Sequence, residues 1–414
     1  MREIFDLLRY ERRARAFFVA LAQSALGTGA GYIALLLIAY ERFESPWAIS
    51  LVLIADLIPA MLMGPVFGAA ADRWSRKRCA IVADVLRVIA FGGIALVDSY
   101  AAMLAFALLA GTGTGLFTPS VLAALPSVVD DDRRQPAASS LYGVVADFGF
   151  TVGPMAAAVV LGIAGAETLM WANAVTFAMS GVLLASIRFG DAPAQRPEGP
   201  ASLLAEARLG LRLTAGMRAI RVLLMGSTAL LFGVGLFNVA ELFFATEDLG
   251  ISNAGFSLLV TSFGIGFIVG SLAGSKGGGQ SLLKRRYLAG LLVLGSAFAA
   301  TGLATSFAAA AATFALAGVG NGMVLVYERL LIQTSVADDL AGRVFGIRDA
   351  MSAWAFAIAF LMGGALLEAV GPSELILAAG CIGIVTFGVS AVALRREWPE
   401  TEVDDAQVVA ARIS

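Results

Sequence analysis

The stretch LVYERLLIQ, Leu325 to Gln333, places adjacent acidic and basic side chains inside a long apolar run. Seven ionisable residues lie within apolar stretches of this kind: Asp56, Asp84, Arg87, Asp147, Glu241, Glu328 and Arg329. A charged group at the centre of a bilayer costs about 2.5–3.5 kcal/mol on insertion scales. Such residues usually form pairs or line a pathway, so they are the first candidates for function.

Carboxylates are the groups here that could carry protons, because the sequence contains no histidine, which otherwise titrates nearest neutral pH. A carboxyl group that is removed from water holds a proton more readily. We therefore predict four proton-coupling candidates: Glu328, Asp147, Asp56 and Glu241. Asn238, Asn321 and Arg329 are candidates to line a cavity. For each residue alone, a purely structural role is the alternative.

Two pairs of oppositely charged residues lie close together in sequence. Asp84 and Arg87 are three positions apart, so on a helix they share one face and we predict an ion pair. Glu328 and Arg329 are adjacent, about 100° apart on a helix. We expect Glu328 to point inward and Arg329 to reach the membrane interface with its long stem. The alternative is that Glu328 only neutralises Arg329.

The elements that hold these residues are predicted to be transmembrane helices. Of the 414 residues, 59% are hydrophobic and 14% are charged, against about a quarter charged in an ordinary soluble domain. A helix needs about 20 apolar residues to cross a bilayer. The sequence predicts an all-α membrane protein with twelve spans: 16–40, 47–71, 78–97, 101–124, 141–164, 168–187, 220–245, 253–275, 286–305, 308–333, 345–369 and 374–394.

The distribution of basic residues predicts the orientation of the chain. Lys and Arg are concentrated in cytoplasmic loops, and 26 of the 29 lie on one side of the predicted spans; the exceptions are Arg42, Arg87 and Arg329. Both termini should therefore be cytoplasmic. We predict a six-helix bundle over 1–187, a cytoplasmic linker with an amphipathic helix over 188–219, a second bundle over 220–394 and a tail over 395–414.

Glycines recur at a nearly constant offset between the two halves. Gly27 and Gly29 reappear 206 residues later, and so do Gly64 and Gly68, while Gly111, Gly113 and Gly115 reappear after 207. Small residues let transmembrane helices approach closely, which favours helix packing over a nucleotide-binding loop. Two repeated halves are typical of an alternating-access transporter whose substrate site lies between them.

The segment GPVFGAAADRWSRKRCAIVADVLR resembles the signature that follows the second helix in the major facilitator superfamily. The matching positions are Gly68, Asp72, Arg73, Arg76 and Lys77, with Ser75 where a glycine is usual. The resemblance extends over essentially the whole chain and implies that this motif acts as a conformational latch, with Asp72 at the N-terminus of a neighbouring helix. In the second half Gly278 stands where Asp72 would fall.

A second motif is similar to one carried by antiporters of this superfamily. Gly153 and Pro154 match it, whereas Ala157 and Ala158 replace two usual glycines; a simple proline kink is the alternative. ADVLR and GRVFGIRDA resemble the branch of macrolide, multidrug and enterobactin exporters.

These resemblances imply a proton-coupled exporter of hydrophobic or amphipathic small molecules. The alternatives are a siderophore or metabolite exporter on the same scaffold, and an uptake symporter or facilitator for a polar nutrient. We expect a monomer in the bacterial cytoplasmic (inner) membrane, in contact with lipid. Its partners are a small-molecule substrate and protons, with no catalytic activity, cofactor, metal or nucleic acid.

Overall fold

The structure is a computed structural model that describes residues 7–129, 132–187, 214, 216–273 and 279–395. Six long helices come from the first half: α1 (Arg12–Phe43), α2 (Pro46–Arg73), α3 (Arg76–Leu96), α4 (Tyr100–Ala124), α5 (Gln135–Ile163) and α6 (Ala166–Ser186). The second half contributes α7 (Arg218–Phe243), α8 (Asn253–Ala273), α9 (Gln280–Gly302), α10 (Phe307–Ser335), α11 (Asp338–Val370) and α12 (Pro372–Ala393).

Short helical turns join some of these elements. Two 3-10 turns, Leu125–Val128 and Asp132–Arg134, lie between α4 and α5, and a π-helical turn, Phe244–Asp248, follows α7. The predicted linker (188–219) and tail (395–414) lie almost entirely outside the described residues.

Ten helices in the described part of the chain are long and apolar enough to cross a membrane. Two of the twelve long helices are not among these ten. Within the described residues the apolar segment of α5 is Thr151–Ile163, and α9 carries Lys284, Arg285 and Arg286 in its first two turns. Ten helices of the described residues are therefore candidate spans by length and composition, and the count of twelve spans stays a prediction.

The chain divides into two compact units. The first is Met1–Pro197 with Ser252–Thr261, and the second is Glu198–Ile251 with Ser262–Ser414. In the first unit α1 packs against α5 and α6, α4 packs against α2 and α3, and α3 packs against α6. In the second unit α7 packs against α11 and α12, and α9 packs against α10 and α12. The four pairs of the second unit therefore repeat four of the five pairs of the first.

Equivalent glycines make equivalent contacts in the two units. A methyl group at Gly113 of α4 would lie 2.7 Å from Arg87 Cγ of α3; at Gly320 of α10 it would lie 2.5 Å from the backbone nitrogen of Leu294 of α9. Both glycine and neighbour are shifted by 207 residues. The offset between equivalent glycines in the sequence is therefore also the offset between the residues that they contact.

Two lysines close the bundles in the same way. Lys77, at the start of α3, donates a hydrogen bond of 2.7 Å to the carbonyl oxygen of Ile187, just beyond α6. Lys284, near the start of α9, donates one of 2.9 Å to the carbonyl oxygen of Leu394, just beyond α12. Positive charge is favourable at a helix C-terminus, where carbonyl groups lack partners within the helix.

Arg42, a basic residue predicted on the opposite side from most others, also binds a helix end. Its guanidinium donates to the carbonyl oxygens of Ile94 (2.9 Å) and Ala95 (3.2 Å) at the end of α3. It also pairs with Glu167 of α6 at 2.9 Å. This cation therefore ties α1 to α3 and α6.

Candidate functional site

The acidic residue of the LVYERLLIQ stretch forms an ion pair with α11. Glu328 of α10 is 1% exposed. Arg348 of α11 donates from Nη2 to Glu328 Oε2 at 3.1 Å and from Nε to Oε1 at 3.5 Å. This two-point contact fixes the direction of both side chains as well as their separation. Arg348 Nη1 also donates to Asp349 Oδ1 at 3.1 Å.

The ion pair borders a cavity of about 280 Å³ in the second unit. Its lining residues are Leu325, Glu328, Arg329, Phe345, Arg348 and Asp349. Arg329 is exposed and has no ion-pair partner among the described residues, and its expected reach to the membrane interface stays a prediction. Two acidic and two basic groups thus surround one small cavity with mixed polar and apolar walls.

Arg348 is not among the candidates predicted from the sequence. The basic residue that the sequence offers beside Glu328 is its neighbour Arg329. Adjacent residues on one helix point about 100° apart, whereas Arg348 approaches Glu328 from another helix. The alternative that Glu328 only neutralises Arg329 is therefore wrong: the ion-pair partner is Arg348.

Asp56 of α2 lies at a second cavity, of about 210 Å³, within the first unit. Aromatic rings from three helices line it, those of Tyr32, Phe91 and Phe177. The Asp56 carboxylate has no hydrogen-bond or ion-pair partner among the residues that the structure describes. An unpaired carboxylate beside aromatic rings can take up a proton or attract a cation.

Asp84 and Arg87 form a buried ion pair on α3. The side chains are 1% and 3% exposed, and Arg87 Nη2 donates to Asp84 Oδ1. The guanidinium carbon lies 3.9 Å from the ring centre of Phe117 and 4.2 Å from that of Phe177. Aromatic faces stabilise a buried guanidinium. Arg87 also lines a cavity of about 200 Å³ with hydroxyl-bearing residues such as Thr114 and Thr118.

The remaining candidates are not brought into these clusters. Glu241 of α7 is 4% exposed, and Asn238 of α7 and Asn321 of α10 are half-buried; other residues line the cavities described above. Asp147 falls within α5, but its side chain is outside the described part of the structure.

The latch and antiporter-like motifs are described in part. Gly68, Asp72 and Arg73 lie in the last turns of α2, and their side chains are outside the described part. Arg76 donates to the carbonyl oxygen of Ala123 at the end of α4 at 2.7 Å, and Lys77 binds the end of α6. These two basic residues therefore cap helices within their own unit.

Gly153 and Pro154 both contribute to the first unit's interior. A methyl group at Gly153 would lie 2.7 Å from Gly29 Cα and 2.7 Å from the backbone nitrogen of Ala30, so α5 and α1 touch backbone to backbone. Pro154, inside α5, lines the same cavity as Asp56. The motif thus combines close helix packing with a cavity wall.

The sequence model of the Major Facilitator Superfamily matches residues 16–240 and 223–410. The chain belongs to the major facilitator superfamily. It is a multi-pass membrane transporter, and members of this superfamily are not enzymes.

Known proteins of the superfamily resemble the whole chain. The multidrug efflux pump Tap of Mycobacterium tuberculosis is 25% identical over 424 residues, covering 96% of this chain and 98% of that protein. Macrolide efflux protein A of Streptococcus pyogenes is 19% identical over 356 residues, covering 83% and 88%.

Solved structures of the superfamily share the fold. The nucleoside transporter NupG has a TM-score of 0.72 at 12% identity, covering 93% of this chain and all of that one. A bacterial homolog of the human lysosomal transporter Spinster, in an inward-facing and unoccupied conformation, has a TM-score of 0.73 at 13% identity, covering 94% and 99%.

Proposed function

We propose that this superfamily member exports hydrophobic or amphipathic small molecules from the cytoplasm in exchange for protons. It acts by alternating access in the cytoplasmic membrane, and we expect it to act as a monomer. Asp56 and Glu328 are the proposed proton carriers. Asp84 and Arg87 are assigned to the framework of the first unit, since both side chains of this pair are almost completely buried, whereas Arg348 beside Glu328 is 20% exposed.

One observation carries the coupling part of the proposal: Asp56 presents to a cavity a carboxylate for which the described part of the chain supplies no partner. A charge in that setting is costly unless it binds a proton or a cation. The aromatic rings around it suit a flat or apolar cation that would compete with the proton for the same group. Competition for one carboxylate is a simple basis for exchange.

Glu328 is the second proposed proton carrier, and it differs from Asp56 because it has an ion-pair partner. When the carboxylate is charged, Arg348 is held against it. If Glu328 takes a proton, the attraction is lost and Arg348 keeps its contact with Asp349, whose side chain is 69% exposed. Protonation would therefore change which groups the second cavity offers to a substrate.

The direction of transport and the substrate class are supported by the relatives. Tap and macrolide efflux protein A, both similar over more than four fifths of this chain, carry efflux in their names. The apolar and aromatic lining around Asp56 agrees with a substrate that has a large apolar surface.

The test is transport into proteoliposomes across which a pH gradient is imposed, with ethidium as a fluorescent apolar cation. The wild-type protein should concentrate the dye uphill. Asp56→Asn should abolish uphill movement while downhill equilibration survives, because the amide mimics a carboxyl group that never releases its proton. Asp98→Asn, at an exposed carboxylate outside the cavity, is the control. Uphill transport by Asp56→Asn at the wild-type rate would refute the role of Asp56.

A further inference from the structure

A long groove runs along the second unit between α7, α11 and α12, with a volume of about 830 Å³. It is lined by Met225, Thr228, Ala229, Phe232, Ile347, Ala350, Met351, Trp354, Ala355, Ile358 and Ile382. Thr228 contributes the lining's one hydroxyl, which donates to the carbonyl oxygen of Leu224 at 2.7 Å. The lining therefore offers an apolar surface.

The groove lies on the outside of its unit. Met225 is 60% exposed, Trp354 56% and Ile358 47%. The other side of α7 packs inward, where the hydroxyl of Ser227 and the carbonyl oxygen of Leu223 contact the buried Tyr287 of α9. An apolar, exposed groove on a membrane-spanning bundle is a surface that lipid can enter.

Two arginines lie at one end of this groove. A methyl group at Gly235 would meet Ala359, and one at Gly363 would meet Val239; both contacts join residues 124 positions apart, so α7 and α11 run parallel. In that register Arg221 of α7 is level with residue 345 of α11. Arg343 lies two residues before that position, so the two arginines are offset by about 3 Å along the helix axis. Each lies four residues before a groove residue, Met225 or Ile347.

We propose that this groove binds one anionic phospholipid, with an acyl chain along α7 and α11 and its phosphate at Arg221 and Arg343. From Ile347 to Ile358 the groove extends about 16 Å, close to half of the roughly 30 Å hydrocarbon core. One leaflet's acyl chain therefore fits its length. Basic residues at the membrane surface attract anionic headgroups, and the positive-inside pattern predicts the cytoplasmic surface at this end.

The first unit provides a matched comparison. Residues 206 positions earlier than Arg221 and Met225 are Arg15 and Val19, both exposed on α1. The position equivalent to Arg343 is Ala137. The first unit therefore has one arginine of the pair and lacks the other, so the proposed lipid site belongs to the second unit.

The experiment is native mass spectrometry of the purified full chain in detergent, with phosphatidylglycerol or phosphatidylcholine added. We expect one phosphatidylglycerol to remain bound, with a preference over phosphatidylcholine on the order of tenfold. Arg221→Gln with Arg343→Gln should remove the preference. Ala229→Trp, which fills the groove, should remove binding of both lipids, whereas Arg15→Gln and Val19→Trp should leave binding unchanged.

Equal retention of the two lipids by the wild-type protein would overturn the proposal, as would equal losses from Ala229→Trp and Val19→Trp. Because the readout is bound lipid rather than transport, it is independent of the substrate and of proton coupling. If no lipid preference is found, the proposed efflux function is unaffected. If the proposed efflux function is refuted, the lipid site is unaffected.

Discussion

At the scale of single residues, Glu328 forms its ion pair with a partner from another helix. Glu328 is almost closed to solvent, while Arg348 is 20% exposed and reaches it with two donors. Removing one partner of a buried pair leaves the other charge without compensation, which costs about 3–5 kcal/mol. Removing both is far less costly, because no uncompensated charge is left.

The first prediction is a double-mutant cycle on this pair. Glu328→Gln and Arg348→Gln should each lower the free energy of unfolding by about 2–4 kcal/mol, toward the lower end expected for a broken buried pair because Arg348 is partly exposed. The double variant should be less destabilised than the sum of the two. Thermal unfolding of the detergent-purified protein measures these differences.

Asp349→Asn is the control for that cycle. The Asp349 side chain is 69% exposed, and exposed ion pairs contribute about 0–1 kcal/mol. It should therefore unfold close to the wild-type temperature. Strict additivity of the Glu328 and Arg348 substitutions would mean that the two side chains do not interact.

At the scale of helices, α1 and α5 approach so closely that only glycine fits between them. Gly29 faces Gly149 and Gly153 across the contact, and the atoms that a methyl group would meet at Gly153 are backbone atoms. A flexible side chain could rotate away, but backbone atoms move only with the whole helix. Close packing alone therefore accounts for a glycine at the antiporter-like motif.

The second prediction separates packing from other roles of glycine on α5. Gly153→Ala should destabilise the protein by about 1–3 kcal/mol, the usual effect of overpacking. Gly143→Ala and Gly162→Ala lie on the same helix with open space around the new methyl group, so they should be neutral or stabilising by up to about 1 kcal/mol. Thermal unfolding of the three variants measures these differences in stability. Equal effects of the three substitutions would exclude the packing explanation.

The third prediction concerns the lysines that cap α6 and α12. Lys77→Met and Lys284→Met each remove a charged donor from a helix-terminal carbonyl group, so each should cost about 1–3 kcal/mol. Arg78→Met, an exposed neighbour of Lys77, should change stability by less than about 0.5 kcal/mol. Markedly unequal effects of the two lysine substitutions would contradict the equivalence of the two units.

At the scale of the whole molecule, the repeat could be predicted from sequence but the ion pair at Glu328 could not. Gly113 and Gly320 mark equivalent contacts because close approach requires a particular residue at a particular spacing. Pairing between Glu328 and Arg348 depends on how α10 and α11 are rotated about their axes. That rotation cannot be read from the sequences of two nearly uniform apolar spans. The sequence does place Arg348 inside the predicted eleventh span, 345–369, which distinguishes it from the basic residues of the loops.

The fourth prediction tests the orientation of the chain. After Cys79 and Cys381 are replaced by serine, single cysteines at Arg76, Ser202 and Ser414 should react with a membrane-impermeant maleimide only when the cytoplasmic side is exposed. The basis is the prediction that 26 of the 29 Lys and Arg residues lie on that side. Labelling of any of the three in intact cells would reverse the predicted topology.

The two lysine caps also impose an order on biosynthesis. Each ammonium group must wait for a carbonyl oxygen 110 residues further along the chain, which a ribosome adding about 5–20 residues per second reaches after roughly 5–20 s. During that interval the third helix of a bundle is inserted while the contact that closes the bundle does not yet exist. A nascent chain therefore completes its first bundle only when the sixth helix emerges, and it passes through the same delay again before release.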